Sequence, residues 1–143
     1  MRIEMIMTVL AGFAGGLAGT LWGGIVSSAW LARDPAARAL GWLPDTATRV
    51  LVTAALYGTC GAAAGFLFWL GWGLPAFTVG TSWHLVGFAY GALLWVSAAL
   101  PGLLLLGLRL PALRTVCVVM AAEALVGTTA VGLLCAFVWH RAA

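Results

Sequence analysis

Long apolar segments alternate with short polar segments along this chain, and four of the apolar segments are long enough to cross a lipid bilayer. They predict helices at about residues 6–30, 50–69, 84–108 and 112–139. At about 1.5 Å of rise per residue, each helix spans a hydrocarbon core of about 30 Å. The polar segments predict loops, with a short interfacial helix from Pro35 to Trp42 in the first loop. The pattern therefore predicts an all-α fold, in which residues 1–143 form one transmembrane domain, an integral membrane four-helix bundle.

Small residues repeat at every fourth position of the first predicted helix, along two adjacent stripes. One stripe holds Ala11, Gly15, Gly19 and Gly23, and the other holds Gly12, Gly16, Thr20 and Gly24. A glycine costs about 1 kcal/mol relative to alanine in a soluble helix. Such a run is favoured where lipid enforces the helix and close backbone approach compensates for the loss. The stripes predict glycine-zipper packing, in which each stripe can contact a different helix.

The second and third predicted helices carry shorter rows of small residues, which extend the same prediction. These rows contain Gly58, Gly61, Gly65, Gly87 and Gly91. The glycine spacing of the second helix repeats that of the first, which indicates either an ancient hairpin duplication or, as we favour, the shared geometry of close helix packing. Later in the third helix, Pro101 removes a backbone hydrogen bond and predicts a kink between Ser97 and Pro101.

Composition and charge agree with a membrane location. Hydrophobic residues make up 64% of the 143 residues and charged residues 8%, against about 45–50% and 25% in soluble domains. The first apolar segment is longer than a cleavable signal core, so we expect it to remain in the mature protein. Membrane lipids are the expected surroundings, and no independent soluble domain is predicted.

Arginine supplies all of the basic charge, because the chain contains no lysine and has a net charge of +3. Two arginines lie near the termini, Arg2 and Arg141. The other five lie in the first and third loops, at positions Arg33, Arg38, Arg49, Arg109 and Arg114. The positive-inside rule predicts that these loops are cytoplasmic and that both termini lie outside a bacterial inner membrane. Because the arginines act as topology signals, no nucleic-acid partner is expected.

Glu123 is the only acidic residue inside a predicted span. A carboxylate at that depth is costly and often marks a functional site. One interpretation is a proton or cation site, whose candidate neighbours on facing helices are Thr20, Thr53, Tyr57, Thr59, Tyr90 and Trp95. The alternative, given equal weight, is a neutral glutamic acid that is hydrogen-bonded across helices and holds the bundle together.

Two histidines fall at the same predicted membrane surface, and each follows a tryptophan. His84 begins the third helix and His140 ends the fourth. They are candidate haem or metal ligands, although closed metal sites usually need three or four ligands. We favour polar anchors at headgroup level, and whether a cofactor binds is left open. Cys60, Cys117 and Cys135 are far apart within apolar segments, which is typical of packing residues.

The order of helices resembles that of small four-span bacterial membrane proteins of unknown function. The resemblance is carried by residues 11–20, the AALYGTCGAAAG segment from Ala54, the GFAYGALLW segment from Gly87 with Pro101, and EALVG from Glu123. Some members have histidine four residues before the glycine of helices two and four, where this sequence has Ala54 and Glu123. The resemblance therefore implies an architecture and no activity.

Three functional hypotheses follow from these features. The first is a non-enzymatic protein that acts by helix association, as an accessory subunit of a membrane complex or as a homo-oligomer. The second is a small transporter or channel with Glu123 in its path. The third is a haem- or pigment-binding electron-transfer subunit that uses His84 and His140. No catalytic constellation occurs in the sequence, so an enzyme is the least favoured class.

Overall fold

The computed structural model describes residues 2–39, 47–71 and 80–142, and this part of the chain contains helices and short connections without strands. Helix α1 covers Arg2–Leu31, α2 covers Pro35–Ala39 and α3 covers Ala47–Gly71. Next come α4 (Trp83–Leu94), a π-helical turn (Trp95–Ala99) and α5 (Leu100–Arg109). A 3-10 turn (Pro111–Leu113) leads into α6 (Arg114–Ala142).

The prediction of an all-helical protein with four long apolar helices is confirmed. The segments long and apolar enough to cross a membrane are Ile3–Leu31, Val50–Gly71, Trp83–Arg109 and Pro111–Ala142. We call Trp83–Arg109 the third span. The helices extend a few residues beyond the predicted limits, because backbone hydrogen bonding continues through polar residues that hydropathy excludes. Residues 40–42 of the predicted interfacial helix, and most of the second loop, lie outside the described residues.

Helix α1 is the central helix of the arrangement. It packs against α3 on one side and α6 on another, while α4 packs against a different part of α6. Helices α3 and α4 meet where the Tyr90 ring lies edge-on to the Phe68 ring, with centroids 5.1 Å apart. We call the end of the bundle with the first and third loops the loop end, and the opposite end the terminal end.

One glycine stripe of α1 faces α3. A methyl group added at Gly12 would overlap the carbonyl oxygen of Gly61, and one at Gly16 would overlap that of Tyr57. The fit is reciprocal, because a methyl group at Gly61 would overlap the carbonyl oxygen of Gly12. The two backbones are therefore close enough that only glycine fits without a shift.

The other stripe of α1 faces α6. A methyl group at Gly15 would lie 2.7 Å from Val131 Cα, and one at Gly19 would lie 2.9 Å from Gly127 Cα. Glycines of α4 make the next contact in the same way, since a methyl group at Gly87 would lie 2.8 Å from Leu133 Cα. The two stripes of α1 thus contact two different helices of the same chain.

Two clusters of buried side chains hold the bundle, one near each end. The cluster near the terminal end, the terminal core, comprises Ala11, Ala64, Phe68, Val86, Tyr90, Val131, Cys135 and Ala136. The cluster near the loop end, the loop core, comprises Leu31, Ala37, Leu113, Val116 and Cys117. Helix α2 contributes Ala37 to the loop core. Its first turn is capped by Asp34 Oδ1, which accepts hydrogen bonds from the amides of Ala36 (2.8 Å) and Ala37 (3.1 Å).

Where a kink is predicted, between Ser97 and Pro101, the structure has the π-helical turn, which begins at Trp95. The amide of Leu100 donates to the carbonyl oxygen of Trp95 five residues earlier, and Pro101 has no amide hydrogen to donate. Widening the helix by one residue accommodates this missing donor. The third span therefore has a weak point in its middle, between Gly91 and Gly107.

Gly12→Ala is expected to lower the thermal unfolding midpoint in detergent, because the added methyl group meets the Gly61 carbonyl oxygen. Overpacking of this kind costs about 1–3 kcal/mol. Gly24→Ala is the matched control on the same helix, since a methyl group there meets no atom within 4 Å. Circular dichroism melts of both variants test the packing, and equal midpoints would contradict it.

Candidate functional site

A cavity of about 300 Å³ lies in the middle of the bundle, between the terminal core and the loop core. All four spans contribute to its lining. The residues are Gly16, Gly19, Tyr57, Cys60, Gly61, Ala64, Leu94, Ala98, Ala99, Leu103, Met120, Glu123, Ala124, Gly127, Thr128 and Val131. Gly16, Gly19 and Gly61 belong to this lining, although their missing side chains face the backbones of neighbouring helices. The glycines that allow close helix contact therefore also border an internal volume.

Glu123 is the one acidic or basic residue in this lining, and it is partly buried. It lies on α6 directly opposite Gly23, where a methyl group would overlap the carboxyl oxygen Oε1 and would lie 2.9 Å from Cγ. The glycine stripe of α1 thus leaves room for the Glu123 side chain beside Gly23, near the loop end. Glu123 thus borders the cavity as a residue, while its carboxyl oxygen Oε1 lies beside Gly23, which is not part of the lining.

Tyr57 is the candidate neighbour that lines the same cavity as Glu123. Tyr90 and Trp95 are directed elsewhere. The Tyr90 hydroxyl donates to the Ala64 carbonyl oxygen at 2.6 Å, and the Trp95 Nε1 donates to the Ala121 carbonyl oxygen at 2.8 Å. These two bonds tie α4 to α3, and the π-helical turn to α6, on either side of the cavity.

Two of the candidate threonines, Thr20 and Thr59, bond within their own helices. Thr20 Oγ1 donates to the Gly16 carbonyl oxygen at 3.1 Å, and Thr59 Oγ1 donates to that of Ala55 at 2.7 Å. In the lining itself, Thr128 Oγ1 donates to the Leu125 carbonyl oxygen at 3.2 Å. Intrahelical bonds of this kind satisfy the hydroxyl hydrogen while its oxygen can still accept.

His84 and His140 both lie exposed at the terminal end, on α4 and α6. The two helices meet there through Trp83 and Phe137, whose ring centroids are 5.3 Å apart. Arg141 lies over the Phe137 ring at 5.4 Å. Among the described residues, no three His, Cys, Asp or Glu side chains are grouped so that they could hold a metal ion. The histidines therefore occupy an aromatic, cation-bearing surface and not the cavity.

Comparisons with protein-family models, with curated protein sequences and with solved structures found no match. The function must therefore be argued from the cavity and the packing around it.

Sequence reasoning singled out Glu123 but missed most of the side chains that surround it. Cys60, Leu94, Ala98, Leu103 and Met120 come from three different spans, and no periodic pattern joins them. One signal was present, since two adjacent alanines at 98 and 99 precede Pro101 and mark a thin section of the third span. Which helix that section faces depends on the packing order, which the sequence does not encode locally.

Tyr90→Phe is expected to destabilise the protein, because it removes the bond to Ala64 that joins α4 to α3. Interhelical hydrogen bonds in membranes contribute about 0.6 kcal/mol on average and up to about 1.7. Tyr57→Phe is the control, since Tyr57 is 37% exposed whereas Tyr90 is 3% exposed. Thermal melts in one detergent should give a lower midpoint for Tyr90→Phe alone. An unchanged midpoint would show that the bond does not hold the two helices together.

Proposed function

We propose that the chain is a small multi-pass membrane carrier, which binds a solute inside the bilayer and moves it across. The observation that supports this proposal is the cavity of about 300 Å³, lined by all four spans, with Glu123 as its one acidic or basic side chain. Ionisable residues within a membrane segment mark substrate or ion pathways by default. A path of this kind requires a site part-way along the spans, and the lining residues of α1, α3 and α6 lie away from the ends of their helices.

The packing supplies one close-packed wall and one adaptable wall for this site. We propose that the glycine stripes of α1 act as glycine zippers, which hold α1, α3 and α6 together. The opposite wall contains Ala98 and Ala99 of the π-helical turn and Leu103 of α5. Pro101 and the π-helical register weaken this wall, and such turns often occur at functional sites. Alternating access would then need movement of the third span alone.

The distribution of arginine supports an orientation for the carrier. Arg33, Arg38, Arg109 and Arg114 are all exposed at the loop end. By the positive-inside rule we propose that this end faces the cytoplasm of a bacterial cell, with the chain in the inner membrane and both termini outside. The cavity then lies between the membrane centre and the cytoplasmic side.

Replacing Glu123 by glutamine is expected to abolish solute movement in proteoliposomes, because the amide cannot carry the charge that pairs with a cation. The assay follows protons, sodium, potassium and small organic cations, with protein-free liposomes as background. Ala98→Phe should also block movement by filling the cavity. Ala92→Phe is its matched control, since Ala92 is an exposed alanine of the third span outside the lining. Undiminished flux in Glu123→Gln, or none with the unaltered protein, would contradict the proposal.

A second candidate function is helix association with other chains, as an accessory subunit or a homo-oligomer. The third span favours this second function, because its apolar stretch is the least buried of the four. In that stretch 6% of the residues are buried, against 22–33% in the other three spans. The glycine stripes of α1 are occupied within the chain, so the surface proposed for association is the third span. Leu93 and Val96 are exposed there, by 52% and 53%.

If the third span mediates association, Leu93→Ala with Val96→Ala should reduce the assembled fraction in mild detergent. Leu51→Ala on α3 is the control, because Leu51 is 69% exposed on a different helix. Native mass spectrometry measures the copies directly. A monomeric unaltered protein without a co-purifying partner would contradict the association hypothesis and leave the carrier hypothesis standing.

A further inference from the structure

One side of the cavity is not closed by any helix of the described residues. Helix α3 meets the third span at the contact of Tyr90 with Ala64 and Phe68. Within the described residues, α3 makes no extended contact with the π-helical turn or with α5. Tyr57, Cys60 and Ala98 line the cavity and are also exposed. The opening therefore points sideways between α3 and the third span, where lipid tails lie in a membrane.

The chemistry of the lining favours an organic ligand over a bare inorganic ion. Inorganic cations such as Ca²⁺ need about six to eight oxygen ligands, and Mg²⁺ keeps several waters. This cavity offers one carboxyl group, and alanine, glycine, leucine, methionine and valine form most of the remaining lining. A single carboxylate within apolar walls suits a cation whose charge is carried on hydrocarbon, because apolar contact supplies the binding area and the carboxylate fixes the charge.

Small residues near the opening allow a bulky group to enter. Ala98 on one wall and Cys60 on the opposite wall are exposed lining residues with short side chains. Tyr57 adds an aromatic ring to the same opening, and such rings attract cations through their π-face. The short side chains at the opening, the acidic side chain of Glu123 and the lateral direction of access are thus all consistent with one class of ligand.

We propose that the cavity binds a lipid-soluble organic cation, which enters from the bilayer between α3 and the third span and pairs with the Glu123 carboxylate. This inference rests on the proposed carrier function and names its substrate class. It distinguishes the protein from a channel for hydrated inorganic ions, in which the path would open at the two ends of the bundle.

The test is a binding experiment on the full chain in lipid nanodiscs, by equilibrium dialysis with empty nanodiscs subtracted. Tetraphenylphosphonium is the lipid-soluble cation. Tetraphenylborate has the same shape with the opposite charge, and tetramethylammonium is a cation that stays in water. We expect saturable binding of the phosphonium alone.

Variants at Glu123, Ala98 and Ala92 test whether the phosphonium binds in the cavity. Glu123→Gln should weaken phosphonium binding by about tenfold or more, equivalent to at least about 1.4 kcal/mol, whereas Glu123→Asp keeps the charge and should retain most of it. Ala98→Phe narrows the lateral opening and should also weaken binding, while Ala92→Phe should not. Thermal midpoints of all four variants show which of them are folded, and the three probes test the unaltered protein independently of any variant.

Four results would overturn the inference: no saturable binding of phosphonium, equal binding of phosphonium and borate, binding of tetramethylammonium as tight as that of phosphonium, or phosphonium binding unchanged in a folded Glu123→Gln. Its failure can be separated from failure of the carrier function. Flux of inorganic ions without phosphonium binding overturns the ligand class and leaves the carrier. Phosphonium binding without flux of any solute keeps the site and overturns transport.

Discussion

The close approach of α1 to its two neighbours is the contact on which the rest of the structure depends. Gly12 and Gly16 bring α3 against one face of α1, and Gly15 and Gly19 bring α6 against another. In a membrane there is no hydrophobic driving force between helices, so van der Waals contact over bare backbone must hold them. The third span then packs on α6 through Gly87 and Gly91. Its distance from α3 follows from that order of packing.

The cavity results from the order in which the helices pack on one another. It does not result from a general loss of side-chain packing. Large side chains fill the terminal core, where Phe68 and Tyr90 close the space between α3 and α4. At the loop end, Ala37 of α2 and Leu113 of the 3-10 turn pack in a second cluster with Leu31, Val116 and Cys117. Between these clusters half of the lining residues are glycine or alanine, and a volume of about 300 Å³ remains. An acidic residue at this level has room that neither core could give it.

Much of the architecture could be predicted from the sequence, because four apolar segments and their polar connections depend on local composition. The stripes of α1 and the irregularity before Pro101 also have local causes. Which helices the stripes contact could not be predicted, since that depends on the order of packing. The same limit applies to the site. Glu123 stands out by charge alone, whereas Cys60, Ala98 and Met120 become neighbours only when three helices assemble, and Tyr90 and Trp95 bond to carbonyl groups on other helices.

The π-helical turn also determines which residues of the third span face α6. Gly91 and Gly107 both face α6, at Thr129 and Cys117, yet residues 16 positions apart on a regular α-helix point about 160° away from each other. A π-helical turn amounts to one inserted residue, which reduces that difference to about 60°. The chain thus uses a single extra residue to keep two halves of one helix on the same neighbour. Loss of one residue between Trp95 and Ala99 would rotate α5 by about 100°, turning Leu103 away from the cavity while leaving every other helix in place.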